Sequence, residues 1–177
     1  MLVERPLKET DIASLALIDR TELIDECYRL QNGELLLYPE HHDMRGWPEG
    51  EAEQDAVALR ACFKRGGWLH GVFDGEQLVA AVVVDTRIIH NQGLQMRQLK
   101  FLHVSHGSRG LGLGGRLFAL ACEQGLKVGA QALYVSATGS RNTVDFYLRH
   151  GCRLLKQADP ELYRQEPEDI HLYRPLP

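Results

Sequence analysis

The chain has 177 residues, of which 44% are hydrophobic and 25% are charged. This length and composition predict one folded domain and argue against a disordered chain. The 20 lysines and arginines and the 24 aspartates and glutamates give a net charge of −4, which argues against a broad basic surface for nucleic acid. No apolar run approaches the roughly 20 residues that are needed to cross a membrane.

Cysteine usage and the start of the chain indicate the compartment. Four scattered cysteines without CxxC spacing (Cys27, Cys62, Cys122 and Cys152) favour a reduced chain over a disulfide scaffold. The first residues carry charge and lack the apolar core of a secretory signal. The sequence therefore predicts a cytoplasmic protein that binds neither membrane nor nucleic acid.

The N-terminal part predicts a strand, a helix and a hairpin. Leu2–Pro6 is typical of an edge strand, because proline cannot donate to a neighbouring strand. Thr10 is predicted to cap a helix that continues to Asp19. Asn32-Gly33 favours a tight turn between two strands, and residues 39–50, with two prolines and two glycines, predict a surface loop. The two hairpin strands are Cys27–Leu30 and Glu34–Tyr38.

The rest of the chain predicts a mixed α/β sheet, because consecutive antiparallel strands precede a β-α-β-α-β series. The run of apolar residues from Val79 to Val84 indicates a strand that is buried on both faces. Helices are predicted from Pro48 to about Arg65, at Gly114–Val128 and at Thr143–His150, and strands at Trp68–Phe73, Leu78–Asp85, Met96–Val104, Leu133–Ala137, Cys152–Gln157 and Ile170–Tyr173.

A glycine-rich turn lies between a predicted strand and a predicted helix. Its nine residues contain five glycines: Gly107, Gly110, Gly112, Gly114 and Gly115. Glycines let a ligand approach the backbone, and a helix N-terminus offers unpaired N–H groups, so the segment favours phosphate binding over a plain tight turn.

Two phosphate ligands are possible for this turn. Gly110, Gly112 and Gly115 satisfy the GxGxxG pattern of dinucleotide-binding proteins. That pattern needs an early βαβ unit and an acidic residue about 20 positions later, whereas here Ser136 and Ala137 end the next strand. The dinucleotide hypothesis is therefore disfavoured.

The same turn also contains the pattern R-x-x-G-x-G, formed by Arg109, Gly112 and Gly114. It resembles motif A of the GNAT N-acetyltransferase superfamily, and Phe146-Tyr147 followed by Gly151 resembles the family's next helix ending. The resemblance extends from Met96 to Arg153. The chain departs from the family pattern at His106, Ser140 and Cys152, where proline, asparagine and phenylalanine are common.

The resemblance implies a fold and a domain organisation. The fold is α/β, with a central, mostly antiparallel sheet and helices on both faces. A V-shaped splay separates the strands before and after the glycine-rich turn. Residues 1–177 are expected to form a single acetyltransferase domain with an inserted hairpin and loop at about residues 23–50.

The resemblance also implies a cosubstrate, acetyl-coenzyme A (acetyl-CoA), and the residues that bind it. A backbone N–H near Val104 would polarise the thioester carbonyl. Tyr147 matches the family's general acid and would protonate the departing thiolate. The expected coenzyme-binding residues are Leu102, His103, Val104, Arg109, Gly110, Leu111, Gly112, Leu113, Gly114, Gly115, Ser140 and Asn142.

The expected reaction is direct acetyl transfer to a primary amine of a small molecule or peptide, by a monomer or a homodimer. The alternative is a non-catalytic module that senses acyl-CoA. No metal is expected at Glu40-His41-His42-Asp43, because neighbours in an extended chain point opposite ways and no third ligand follows at a recognisable spacing. The general base stays open among Glu22, Glu40, His41, His42, His103 and Asp145.

Overall fold

The computed structural model describes residues 1–177, and the chain divides into two compact units. The first unit contains residues 1–22, 44–86 and 99–124, and the second contains residues 23–43, 87–98 and 125–177. No helix is both long and apolar enough to span a membrane.

Nine strands and four α-helices make up most of the chain, with a 3-10 helix at Glu9–Leu17 and a 3-10 turn at His106–Ser108. The strands are β1 (Leu2–Pro6), β2 (Glu22–Gln31), β3 (Glu34–Met44), β4 (Trp68–Asp74), β5 (Gln77–Asn91), β6 (Leu94–Val104), β7 (Ala132–Ala137), β8 (Arg153–Leu154) and β9 (Ile170–Pro175). The α-helices are α1 (Glu51–Lys64), α2 (Leu113–Lys127), α3 (Arg141–Arg149) and α4 (Pro160–Gln165).

In the first unit the strands follow the order β1-β4-β5-β6. β1 pairs with β4 in antiparallel register, from Leu2 opposite Asp74 to Pro6 opposite His70. β1 lies at the edge, as its proline predicts. The residues of β5 from Leu78 to Asp85 are all buried, which confirms the prediction of a strand covered on both faces.

The core of the first unit lies between the sheet, the first 3-10 helix and α1. The first 3-10 helix and α1 each contribute apolar side chains at helical spacing, and strands of the sheet contribute the rest. The buried members are Leu7, Ile12, Leu15, Ile18, Leu59, Cys62, Leu69, Phe73, Leu78, Ala81, Val83 and Phe101.

The strands of the second unit follow the order β6-β7-β9-β8. β7 and β9 are antiparallel along their whole length, whereas β6 and β7 form the parallel pair. β2 and β3 form a separate two-stranded sheet. Its turn residues Asn32 and Gly33 have φ values of 51° and 79°, as the tight-turn prediction requires.

Two predictions in the N-terminal part were wrong. The helix predicted after Thr10 is a 3-10 helix that begins at Glu9 and ends at Leu17, with Lys8 at its N-cap position. The predicted loop at residues 39–50 begins only after Met44, because β3 continues through Pro39. A two-stranded sheet has no interior strand, so the missing N–H of proline is tolerated there.

The C-terminal part also differs from its prediction. The strand predicted at Cys152–Gln157 is reduced to Arg153–Leu154, and the short helix α4 was not predicted. Asp159 caps the start of α4: its Oδ1 accepts hydrogen bonds from the backbone amides of Glu161 and Leu162, both at 3.1 Å. The Asp-Pro pair at its start is a helix-start pattern, but six residues are too few to show helical periodicity.

A buried ionic cluster supports the first unit. The Asp85 side chain has 0% exposure and accepts hydrogen bonds from Arg65 Nη2 at 2.9 and 2.8 Å and from the Thr86 amide at 2.7 Å. Lys100 Nζ lies 3.5 Å from the same carboxylate. Burial alone would raise the pKa of Asp85, but these partners outweigh it and lower the pKa to about 2.

Replacing Asp85 by asparagine is expected to reduce the free energy of unfolding by roughly 2 kcal/mol at pH 7, since each unit of pKa shift corresponds to about 1.4 kcal/mol. In the native protein this stabilisation is complete above the pKa of an unfolded aspartate, about 4, and is lost as the pH falls towards 2. Urea unfolding between pH 2 and 7 measures both effects.

The matched control is Asp74→Asn, because the Asp74 side chain is 60% exposed and pairs with the N-terminal amine. We expect little change in unfolding free energy for this variant. Equal losses in the two variants would contradict the role assigned to the Asp85 cluster.

Candidate functional site

The turn between β6 and α2 is open beside its glycines. Gly110 and Gly112 have φ values of 79° and 78°, which side chains other than that of glycine rarely adopt. A Cβ atom built on Gly107, Gly110 or Gly112 would meet no heavy atom within 4 Å. The backbone here is therefore not covered by the protein's own side chains, as a ligand-binding turn requires.

The first turn of α2 presents backbone donors. The Arg116 amide makes the first helical bond, to the Gly112 carbonyl at 3.1 Å. The amides of Leu113, Gly114 and Gly115 precede it, so they have no acceptor within the helix. Together with the positive end of the helix dipole, these donors suit an anion such as a phosphate group.

Arg109 holds the turn in place. Its Nε donates to the Val104 carbonyl at 3.1 Å, and its Nη1 donates to the Thr21 carbonyl at 2.9 Å. Its own amide donates to the His106 carbonyl at 3.3 Å. The Arg109 side chain thus links the end of β6 to the segment that follows the first 3-10 helix, a positioning role that the sequence pattern did not indicate.

A second contact supports the same turn. The Asp19 amide donates to Ser105 Oγ at 2.8 Å, and the His106 amide donates to the Asp19 carbonyl at 2.9 Å. Sequence reasoning did not find Asp19 or Ser105, because their contact joins residues that are 86 positions apart. These bonds fix the direction in which the chain leaves β6.

The predicted coenzyme-binding residues at the end of β6 are half-buried: Leu102, His103 and Val104. The His103 ring contacts Phe101 and Trp47, with ring centroids 4.6 and 5.9 Å away. Burial, and the positive charges of Arg20 and Arg109, lower the pKa of His103. Its imidazole is therefore neutral at pH 7 and is a weak base.

In the second unit, Tyr147 lies on α3 and is only 8% exposed. Its ring packs against Phe146 with centroids 5.2 Å apart. Burial, and the nearby groups Cys152 and Asp169, raise the pKa of its phenol. The Tyr147 hydroxyl therefore keeps its proton at neutral pH, which is a requirement for a general acid.

A shallow groove of about 240 Å³ lies in the second unit, beside the start of α3. Its lining includes Ser140 and Asn142, the two predicted coenzyme-binding residues that follow α2 in the chain. Asn142 is exposed, whereas Ser140 is 3% exposed and donates from its hydroxyl to Thr143 Oγ1 at 2.8 Å. The remaining lining residues are Leu23, Ile24, Asp25, Glu26 and Arg141.

The β2 strand is attached by its backbone to the segment before α3, and by a side chain to α3 itself, within the second unit. The Tyr28 amide donates to the Gly139 carbonyl at 2.7 Å, and Cys27 forms a β-bridge with Ser140. The Tyr28 hydroxyl donates to Asp145 at 2.7 Å. The sequence patterns did not identify Tyr28, because its contact with Asp145 spans 117 positions.

Most of the candidate bases have partners in the structure. Asp145 accepts from Tyr28 and lies 3.4 Å from Arg141, whereas His41 lies 2.8 Å from Asp25. These contacts do not identify one of the candidates as the general base.

The acetyltransferase (GNAT) family model matches residues 26–152. The chain belongs to the GNAT acetyltransferase family. Family membership indicates an acetyltransferase, and it confirms the predicted mixed α/β fold with a mostly antiparallel sheet and a splayed parallel pair β6–β7. No curated protein sequence matches the chain.

Solved structures of acetyltransferases share this GNAT fold at low sequence identity. Nourseothricin acetyltransferase is 19% identical, with a TM-score of 0.73 over 99% of both chains. A putative streptothricin acetyltransferase from Bacillus anthracis, solved with acetyl-CoA, is 15% identical, with a TM-score of 0.70 over 100% of this chain and 99% of that one. PaiA N-acetyltransferase from Thermoplasma acidophilum, solved with coenzyme A, is 14% identical, with a TM-score of 0.62 over 99% of both chains.

The residues of the glycine-rich turn fit the diphosphate of such a coenzyme, because they combine an open backbone with unpaired helix amides. Gly112→Ala is expected to weaken coenzyme A binding about 10-fold or more, since a Cβ at positive φ would strain the turn and would enter the open space where the coenzyme is proposed to bind. Isothermal titration calorimetry with coenzyme A measures this loss.

The matched control is Gly129→Ala, after the other end of α2. Gly129 has a φ of 77° and the same open space around a built Cβ, so its backbone strain is comparable. We expect both variants to lose similar stability and only Gly112→Ala to lose affinity. Equal affinities of the two variants for coenzyme A would argue against the turn as the coenzyme site.

Proposed function

We propose that this protein transfers the acetyl group of acetyl-CoA directly to a primary amine of a small molecule or peptide. The observation that carries the proposal is the open glycine-rich turn at the start of α2, in a chain of the GNAT family. A plain structural turn would not need a backbone that is left uncovered at three glycines.

Coenzyme binding is assigned to the backbone of this turn. The amides from Gly110 to Gly115 would donate to the diphosphate, and Arg109 would keep the turn in shape through its bonds to Val104 and Thr21. The backbone of Leu102–Val104 would hold the pantetheine arm, and the Val104 amide would polarise the acetyl carbonyl. Ser140 and Asn142 are proposed as further coenzyme contacts.

The chemical step needs one proton donor and one proton acceptor. The amine nitrogen attacks the thioester carbonyl carbon, the carbon–sulfur bond breaks, and the thiolate takes a proton from the Tyr147 hydroxyl. The amine gives up its own proton to a base, directly or through water. The lowered pKa of His103 makes its imidazole a weaker base than an ordinary histidine.

The acceptor is proposed to be a cationic amine. The chain carries a net charge of −4, and Asp25 and Glu26 line the groove in the second unit. Glu26 pairs with Arg141 at 2.6 Å, whereas the Asp25 side chain is 71% exposed and lies 2.8 Å from His41. Asp25 is thus the more accessible of the two carboxylates for an incoming cation.

We also propose that residues 1–177 act as one acetyltransferase domain in the cytoplasm, as a monomer or homodimer. No two of the four cysteines are joined by a disulfide, which supports a reducing compartment.

Tyr147→Phe is expected to lower kcat about 100-fold or more, because it removes the proton donor and leaves the packing of the ring intact. The assay follows free thiol from acetyl-CoA with an amine panel that includes polyamines, lysine peptides and streptothricin. Coenzyme A affinity is expected to stay within about twofold of that of the wild type.

Tyr134→Phe is the matched control, since Tyr134 is also buried and its pKa is raised to about 12. Its hydroxyl bonds to His171 at 2.7 Å, so we expect lower stability with nearly unchanged kcat. Unchanged turnover in Tyr147→Phe would rule out this general acid. Coenzyme binding without turnover on any amine would favour the sensor alternative.

Asp25→Asn is expected to raise KM for cationic amines about 2- to 5-fold, the size of one exposed charge interaction, and to leave KM for acetyl-CoA unchanged. Glu34→Gln, an exposed acidic residue beside the turn of the same hairpin, serves as the control. The proposal fails if the two variants have the same KM for the amine, or if neutral amines are affected equally.

A further inference from the structure

The β2–β3 hairpin brings three possible metal ligands together. Cys27 lies on β2, and Glu40 and His42 lie two positions apart on β3. Residues two apart in a strand share one face, so the carboxylate and the imidazole are directed to the same side. The Cys27 sulfur, one Glu40 oxygen and one His42 nitrogen all lie within 4.8 Å of one another.

We propose that Cys27, Glu40 and His42 form a zinc-type divalent cation site, with water as a fourth ligand. Thiolate, carboxylate and imidazole are the three protein ligands that zinc binds, at about 2.3, 2.0–2.2 and 2.0–2.1 Å respectively. In a tetrahedral site, bonds of these lengths place neighbouring ligand atoms about 3.3–3.6 Å apart. His42 Nε2 already lies 3.8 Å from Glu40 Oε1.

One ligand of this cluster is buried and two are partly exposed, so an ion can enter from solvent and bind to a fixed sulfur. Cys27 is 8% exposed, and its thiol hydrogen-bonds to the Glu40 carboxylate. The side chains of Glu40 and His42 are 35% and 51% exposed, which leaves a path for the ion and a position for water. The sulfur is thus held by the fold, and the other two ligands need a shift of about 1.5 Å or less to close on an ion.

Arg29 competes with a cation for Glu40. Its Nη2 lies 3.4 Å from Glu40 Oε1, and its guanidinium lies over the Tyr38 ring, 5.3 Å from the centroid. Because the Arg29 side chain is 57% exposed, it can turn into solvent when a metal enters. Removing its charge is therefore expected to strengthen metal binding.

His41 provides a neighbouring histidine outside the cluster. Its Nδ1 lies 2.8 Å from Asp25 Oδ1, and it is not one of the three clustered ligands. His41 and His42 differ by one position, are both exposed and lie on the same strand. A comparison of alanine variants at these positions therefore separates a ligand from an ordinary surface histidine.

Metal binding is an exchange of a proton for a metal ion, without oxidation or reduction. The Cys27 S–H bond breaks, the proton goes to solvent, and the sulfur electron pair forms the bond to the metal. The site would tie β2 to β3 close to the β-bridge between Cys27 and Ser140. Metal binding at Cys27, Glu40 and His42 does not require acetyltransferase activity, so metal binding alone is measured.

The test is a titration of the reduced, metal-free full-length protein with Co²⁺, followed by absorption spectroscopy. Wild type and His41→Ala are expected to show two features: a sulfur-to-cobalt charge-transfer band in the near ultraviolet, and the visible absorption of four-coordinate cobalt. Addition of Zn²⁺ is expected to displace the cobalt and to remove both features. Cys27→Ser is expected to lose the charge-transfer band. His42→Ala and Glu40→Gln are expected to bind at least about 10-fold more weakly, and Arg29→Gln more tightly.

Cys122→Ser is the control for other thiols, because Cys122 is partly exposed and lies outside the cluster. Circular dichroism of each variant checks folding. If Cys27→Ser does not fold, the partly exposed ligand variants His42→Ala and Glu40→Gln decide the question against His41→Ala. The site is ruled out if the wild type shows no charge-transfer band, if Cys27→Ser keeps the band, or if His42→Ala binds as well as His41→Ala.

Discussion

An anion can approach the start of α2 only if the backbone there stays both uncovered and correctly directed. Gly110 and Gly112 leave it uncovered, but glycine alone would also leave it mobile. The bonds from Arg109 to Val104 and Thr21 supply the direction. The proposed coenzyme binding therefore depends on Arg109, whose charged side chain bonds to carbonyls of the protein itself. The groups that would bind the diphosphate are uncharged backbone amides at the start of α2.

Burial acts on three ionisable groups in different ways, and their partners explain the difference. Asp85 stays ionised because Arg65 and Lys100 compensate for its burial. His103 lies near the cations Arg20 and Arg109, so burial and charge both favour its neutral form. Tyr147 keeps its proton because burial disfavours the phenolate. Stability and acid–base chemistry in this chain thus follow from which charges accompany each buried group.

Local patterns predicted the fold well, and contacts between distant residues limited the prediction of the site. Glycine spacing located the turn before α2, and Asn32-Gly33 located the hairpin, because both depend on backbone conformations read from neighbouring residues. The hydrogen bonds by which Asp19 supports the turn before α2 could not be predicted from local sequence. The contact between Cys27 and Glu40 could not be predicted either. Spacing rules for metal ligands miss a pair that a hairpin brings together from positions 13 apart.

The attachment of β2 to the segment before α3 uses main-chain atoms, from the Tyr28 amide to the Gly139 carbonyl and through the bridge between Cys27 and Ser140. Main-chain hydrogen bonds are available to every residue except proline as donor. This part of the anchorage of β2 therefore does not depend on which side chains stand at these positions. The proposed acceptor groove beside β2 could therefore change through substitutions at exposed positions such as Asp25, while these main-chain bonds keep the strand in place.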